Sequence, residues 1–170
     1  GDDTEIDRSL AEAMADPLLH MVRNAVDHGI EAADARAQAG KSKAGTVRLE
    51  AYHAGDDVVI ALLDDGAGMD PQRLRRKAVE KGLIPPDRQL TDQECFDLIF
   101  LPGFSTAAQV TDVSGRGVGM DVVRRQVRNA NGQVHISSQR GKGSTFTIRL
   151  PLTTAIMDCM LLRCGGERFL

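Results

Sequence analysis

The sequence has no tryptophan, one tyrosine and five phenylalanines, so aromatic residues make up only 4% of the chain. A protein that stacks bases or sugars on aromatic platforms would carry more. Cysteine is also scarce. Cys95, Cys159 and Cys164 form an odd set with no CxxC pair. That argues against a disulfide framework and for reduced thiols in a cytoplasmic protein. No apolar run is long enough to span a bilayer, and no signal-peptide pattern opens the chain, although Gly1 need not be its natural start. Basic residues do not cluster: 21 of them are interspersed with 24 acidic ones, for a net charge of −3. Neither a nucleic-acid footprint nor direct membrane insertion fits that distribution.

What remains is an ordinary globular composition of 170 residues, 42% hydrophobic and 26% charged. A chain of this length buries roughly 70% of the surface its unfolded form exposes, enough for a real core. Thr4 caps an expected helix over 4–14, and Asp16-Pro17 opens a second that runs to His28 and stops at Gly29. An Ala-rich, partly helical connector fills 31–45. Two strands, 46–53 and 57–63, follow with hairpin spacing. Capping residues open helices over 70–81 and 91–100. Residues 101–119 are a long loop rich in Gly, Ser, Thr and Pro, a length that is usually functional or disordered. A helix over 119–130 and strands over 133–138 and 144–150 complete the pattern before Pro151.

Three polar groups stand out. The first is a stripe: His20, Asn24 and His28 are spaced by four, with Asp27 beside them, and apolar residues cover the opposite arc. A solvated face is the default for such a helix. Lys and Glu would fill a solvated face, however, whereas His, Asn and Asp bind ligands and form helices less readily. One zinc ion cannot join His20 to His28, because eight residues of helix separate them by roughly 12 Å. Asn24 and His28, one turn apart, can share a hard cation that also binds phosphate oxygens.

The second group is Asp64-Asp65-Gly66-Ala67-Gly68-Met69, a carboxylate at a strand end followed by glycines that admit close approach. Taken alone, it is better explained as a plain turn, since Asp-Gly is turn chemistry anywhere. The alternating acids of a Ca²⁺ loop are missing.

The third group is Ser114-Gly115-Arg116-Gly117-Val118-Gly119, which opens into a helix. Flexible backbone N–H groups at a positive helix terminus suit phosphates, and a mobile loop is the plainer account. The dinucleotide pattern G-x-G-x-x-G fails on the third glycine. Gly40-Lys41-Ser42 has a Walker A ending, but Ala35 stands where its first glycine belongs.

The order of these blocks carries more than any one of them. A helix with His-x₃-Asn-x₂-Asp-His, then D-x-G-x-G, then Phe104-Ser105-Thr106 and G-x-G-x-G, then Gly-Ser-Thr-Phe before a last strand resembles the ATP-binding fold of histidine kinases, gyrase and Hsp90. Within that superfamily three stretches look like the chemotaxis (CheA-type) histidine kinases in nearly every letter. They are His20-Met-Val-Arg-Asn24-Ala-Val-Asp27-His28-Gly29, Leu101-Pro-Gly-Phe-Ser-Thr106 and Val113-Ser-Gly-Arg-Gly-Val-Gly-Met-Asp-Val122. The resemblance covers about residues 4–151.

It implies an α+β two-layer sandwich, the Bergerat (GHKL) fold, with helices on one face of a mixed sheet. Residues 1–151 would be the ATP-binding catalytic domain, with 1–15 as an N-terminal helix or linker, and 152–170 the truncated start of a regulatory coupling domain. ATP and Mg²⁺ are the implied cofactors. Asp64 would accept a hydrogen bond from the adenine amine, Gly68 and Met69 would approach the ring, and Ser144 would sit near the base. Asn24 would hold Mg²⁺ with His28 close by, and Asp27 would lie in the same site. Ser114, Gly115, Arg116, Gly117, Val118 and Gly119 would hold the phosphates within a lid over 101–119. His20, where ATPase relatives carry a Glu that activates water, would orient the γ-phosphate.

A lid lysine is expected, yet Phe104 through Gly115 contains none, which leaves Arg116 as the substitute cation. The implied activity is transfer of the γ-phosphoryl group to a histidine on a separate phosphoacceptor domain of the same kinase. Response regulators, a coupling protein and chemoreceptors would be met through other domains. The full-length protein would be a cytoplasmic homodimer and this chain alone a monomer. An ATP-hydrolysing clamp of the same fold and a degenerate nucleotide-binding module are the alternatives. His53 and His135, on strands, are expected to be surface or packing residues.

Overall fold

A computed structural model describes residues 8–104, 119–152, 162–164 and 167–169. Helix α1 spans Arg8–Asn24 and continues as one wider π turn over Ala25–Gly29. After it come α2 (Ala33–Gln38), β1 (Val47–Ala54), β2 (Asp57–Asp64), α3 (Pro71–Glu80) and α4 (Asp92–Asp97), the last with a 3₁₀ turn over Leu98–Phe100. Helix α5 (Met120–Asn129), β3 (Gln133–Gln139) and β4 (Gly143–Pro151) complete the main body, and β5 (Leu162–Cys164) pairs with β6 (Glu167–Phe169) as a short hairpin. No helix among the described residues is long and apolar enough to cross a membrane.

The two N-terminal helices expected from the sequence are one. Pro17 lies inside α1 rather than at its start. An interior proline removes one backbone hydrogen bond and costs about 3 kcal/mol. Met14 and Met21, a turn before and after it, are each only 1% exposed. Burying a methionine contributes about 1.5–3 kcal/mol. The two together offset the proline, and the helix runs on.

The four strands β1-β2-β4-β3 form one sheet in which every pairing is antiparallel. No parallel pair, which a mixed sheet requires, occurs among the described residues. Alternation along β2 decides which face is covered. Val58, Ile60 and Leu62 stand opposite Leu150, Ile148 and Phe146 of β4, and all six belong to one buried cluster. Met14, Met21 and Ala25 from the first helix, Phe96 and Phe100 around α4, and Met120, Val123 and Val127 of α5 close over them. The helices therefore form a second layer on one sheet face.

Local chemistry starts α3 and α4 where the sequence reading has them. Asp70 accepts from the amides of Gln72 and Arg73, with Pro71 at the first helical position. Thr91 and Glu94 form a reciprocal capping box. Cys95 is a buried free thiol, and His53 and His135 are exposed.

Candidate functional site

The polar stripe lies at the end of the first helix. His20 and Asn24 are part-buried, while Asp27 and His28 are exposed. The sequence reading treats 16–28 as regular α-helix, but the last turn is a π turn closed by the Ile30 amide on the Ala25 carbonyl at 2.8 Å. His28 lies within that wider turn and remains close enough to act on His20. Such turns recur at functional sites because they re-aim side chains. The tertiary partner that holds this one is visible: the Gly29 carbonyl accepts the amide of Ala67 at 2.8 Å.

Ala67 belongs to the loop after β2, so that bond joins the first and second groups. Asp64 ends β2, with Val47 on one side and Ser144 on the other. Its Oδ1 accepts the Gly66 amide at 2.9 Å. Burial pushes its carboxyl above the usual range, despite backbone donors at Gly66 and Ser144 that pull the other way, and the negative charges of Asp65 and Glu31 add to the rise. Gly29 lies against this carboxyl: a Cβ there would stand 3.5 Å from it. At Gly66 a Cβ would overlap the Gly29 carbonyl, and at Gly68 (φ +66°) it would overlap the Gln139 carbonyl. Both glycines are thus required by contacts within the chain itself.

Three supporting groups are absent from the sequence reading. Arg36, 1% exposed, lies beneath the loop and donates to Asp65 Oδ2 at 2.9 Å and to the Asp65 carbonyl at 3.1 Å. Lys41 donates to the carbonyls of Asp65 and Gly66 at 2.9 and 2.7 Å, and Glu31 accepts from both cations. The lysine of the Walker-like ending is therefore committed inside the chain. Ser138 is the third group: its hydroxyl accepts the Met69 amide at 2.8 Å and lies 3.0 Å from the Ser144 hydroxyl. Only the β3–β4 register, Ser138 opposite Ser144, could have pointed to it.

Of the third group only Gly119 is described, and the residue after it, Met120, meets the first group at the start of α5. Gly119 is the N-cap, and Asn24 Nδ2 donates to the sulfur of Met120 at 3.3 Å. Burial holds the His20 imidazole below its usual range, helped by the charges of Arg23 and His28, while Asp121 of α5 opposes the shift. Ser114, Gly115, Arg116, Gly117 and Val118 lie outside the described residues.

A cavity of about 640 Å³ adjoins the loop at Met69. It is lined by Ala67–Asp70, by Arg73, Leu74, Arg76 and Lys77 of α3, and by Arg140. Asp64, Asn24 and His20 do not line it. Four of its lining side chains are cationic, partly balanced by Asp70, which lies 3.7 Å from Arg140. Lys77 sits 5.1 Å from the centre of the Phe104 ring, and Lys81 donates to the carbonyls of Gly103 and Phe104, fastening the start of the long loop to α3.

Residues 13–154 match the family described as histidine kinase-, DNA gyrase B- and HSP90-like ATPase. The chain is 50% identical over 167 residues to the chemotaxis protein CheA of Rhizobium meliloti, across 98% of this chain and 22% of that protein. It is 51% identical over 170 residues to the chemotaxis protein CheA of Salmonella typhimurium, across 100% of this chain and 25% of that protein. It thus spans about a fifth to a quarter of the curated relatives it matches. In fold it is similar to the catalytic domain of the histidine kinase ThkA, with a TM-score of 0.50 at 19% identity over 88% of this chain and 70% of that one.

Proposed function

The chain belongs to the histidine kinase-, DNA gyrase B- and HSP90-like ATPase family, and on that footing we propose that it binds Mg-ATP and donates the γ-phosphoryl group to a histidine on a separate phosphoacceptor domain, as the catalytic module of a chemotaxis kinase. The observation that carries the reading is convergence. The Gly29–Ala67 bond, the contact of Gly29 with Asp64 and the Asn24–Met120 contact link the helix end to the carboxylate at the end of β2 and to the α5 N-terminus.

In this reading Asp64 accepts from the adenine amine, and Gly68, Met69 and Ser144 form the surroundings of the ring. Gly119, with the preceding Ser114–Val118 run, offers backbone donors to the phosphates at the start of α5. The sequence offers no lid lysine, but Arg73, Arg76 and Lys77 gather at the cavity beside Met69 and supply the missing positive charge. Phosphoryl transfer depends mainly on positioning and charge neutralisation, which is what such a wall contributes.

The residues present fit a magnesium ion bound largely through substrate phosphates. Mg²⁺ keeps several waters and leans on one or two protein oxygens. Asn24, whose amide nitrogen is engaged by Met120, has a carbonyl oxygen of the required type. His28 stands one turn on, and Asp27 lies beside it. When bound, the ion neutralises charge on the triphosphate. His20, whose imidazole pKa is lowered mainly by burial, would orient the γ-phosphate, since in a kinase water must not be the acceptor.

Residues 1–151 form the catalytic domain in this reading, and 152–170 begin a regulatory domain. The chemoreceptors, coupling protein and response regulators are reached through other parts of a cytoplasmic homodimer. The deciding experiment mixes the chain with an isolated acceptor-histidine domain and γ-labelled ATP. Acid-labile label on the acceptor histidine is the expected result. Rapid phosphate release without transfer would replace the kinase with a hydrolytic clamp, and nucleotide binding without either reaction would make the chain a degenerate module.

A further inference from the structure

Two cations beneath the Asp64 loop are more completely bonded than holding a surface turn requires. Arg36 uses all five of its N–H donors: Nε on the Ser42 carbonyl, Nη1 on Glu31 and the Asp65 carbonyl, and Nη2 on the Ala44 carbonyl and the Asp65 carboxylate. Lys41 uses its three on Glu31, the Asp65 carbonyl and the Gly66 carbonyl. Four of these bonds fall on Asp65 or Gly66. The remaining carboxylate oxygen of Asp65 accepts the Thr46 amide at 2.9 Å.

Burying a guanidinium is expensive unless every donor is matched, and a buried ion network is a poor source of stability compared with apolar packing. What such a network supplies is fixed geometry. The geometry it fixes is adjacent to Asp64. The Gly66 amide, two residues on, is the donor that orients Asp64 Oδ1 at 2.9 Å, and the Gly66 carbonyl is the group Lys41 holds at 2.7 Å. Lys41 thus grips one side of the Gly66 residue while Asp64 leans on the other.

We propose that Arg36 and Lys41 are positioning residues that set the base selectivity of the nucleotide site, holding Asp65–Gly66 rigid so that the Asp64 carboxylate presents one fixed acceptor to an exocyclic amine. The inference rests on the adenine reading of Asp64. A fixed acceptor rewards an amine and rejects a carbonyl oxygen at the same place, because the mismatch leaves two acceptors facing each other. A loosened carboxylate can swing away from that oxygen, so the penalty shrinks.

The test measures dissociation constants of the 170-residue chain for ATP and for inosine triphosphate, which carries a carbonyl oxygen where adenine carries its amine. Wild type, Lys41→Met, Arg36→Ala and Asp64→Asn are compared by calorimetry, with melting temperatures recorded for each. The wild type should prefer ATP, and Asp64→Asn should abolish that preference. Lys41→Met and Arg36→Ala should lower the preference for ATP roughly tenfold, mainly by relieving the penalty on inosine triphosphate. Equal weakening of both nucleotides, or an unchanged ratio in a folded Lys41→Met, overturns the inference while leaving the adenine reading standing. A wild type that does not discriminate, or an Asp64→Asn that keeps the preference, overturns the adenine reading and this inference with it. Should Arg36→Ala not fold, Lys41→Met, whose side chain is 18% exposed, decides alone. A Lys41→Met that also fails to fold would make the network a requirement of the fold and overturn the selectivity role.

Discussion

The carbonyl oxygen of Gly29 accepts the amide of Ala67 at 2.8 Å, tying the last turn of the first helix to the glycine loop that follows β2. Both segments carry the polar groups of the site, so this one backbone bond sets their separation. It forms only because Gly66 has no side chain.

Gly66→Ala should therefore disturb the site more than a methyl group ordinarily would. The added Cβ would overlap the Gly29 carbonyl and press on Asp64 Oδ1. The expected outcome is a lower melting temperature together with an ATP affinity reduced by roughly tenfold or more. Thermal unfolding and calorimetry on the same variant would show both, and unchanged affinity would mean that the two segments do not need their present spacing.

Asp64→Asn should remove most ATP affinity, since the carboxylate is exchanged for a group that can also present a donor. The same carboxyl gives a pH signature. Its pKa in the fold is raised, so on acidification the ionised acceptor is lost at a higher pH than for an ordinary aspartate, and ATP binding weakens there first. Stability has the opposite sign. Ionisation is disfavoured in the fold, so the contribution present below the unfolded pKa is lost as pH rises through the folded one. Calorimetric titrations between about pH 4 and pH 7 would show the binding trend.

His20 has a lowered pKa, so it is neutral at pH 7 and binds its proton only below the ordinary histidine midpoint near 6.5. A histidine held neutral stabilises the fold above its unfolded pKa, and that contribution is lost as pH falls through the unfolded value toward the folded one. The ring resonances should titrate below about pH 6.5 in wild type. They should titrate lower still in Asp121→Asn, which removes the one charge opposing the shift. His20→Gln should leave nucleotide binding nearly intact and slow phosphoryl transfer by about 100-fold through lost positioning, measured with the acceptor domain.

Asn24→Asp should impair transfer more than binding, because it exchanges a neutral metal ligand for a charged one and removes the amide donor to Met120. Calorimetry with and without Mg²⁺, beside the transfer assay, separates the two effects. A variant that loses binding equally with and without the ion would place Asn24 on the nucleotide rather than the metal.

Leu62, 1% exposed and opposite Phe146 in the core, supplies a control remote in chemistry from the site. Leu62→Ala should lower stability by about 2–5 kcal/mol through lost burial and the cavity left behind. Chemical denaturation would give the value.

Most of the element order was legible because its causes are local. The Asp70-Pro71 start and the Thr91–Glu94 capping box are satisfied within a turn, so both helices begin where the residues place them. Alternation in β3 and β4 and hairpin spacing in β1 and β2 marked the strands for the same reason, and the order of the stripe, the Asp-Asp-Gly-Ala-Gly turn and the glycine run pointed to nucleotide chemistry where none of them did alone. Pro17 misled because a residue read as opening a second helix lies inside one, held there by burial of Met14 and Met21, which no local pattern records.

The sequence by itself determined which side chains could meet a phosphate, a purine amine or a hard cation, since those are properties of residue types and short spacings. Only the tertiary structure decided that Gly29 meets Ala67, that Asn24 meets Met120, and that Arg36, Lys41 and Ser138 brace the loop between them. Each of those contacts joins residues far apart along the chain. Hydrogen bonds and overlaps act over a few ångströms, so which distant groups come within that range is fixed by how the helices pack on the sheet.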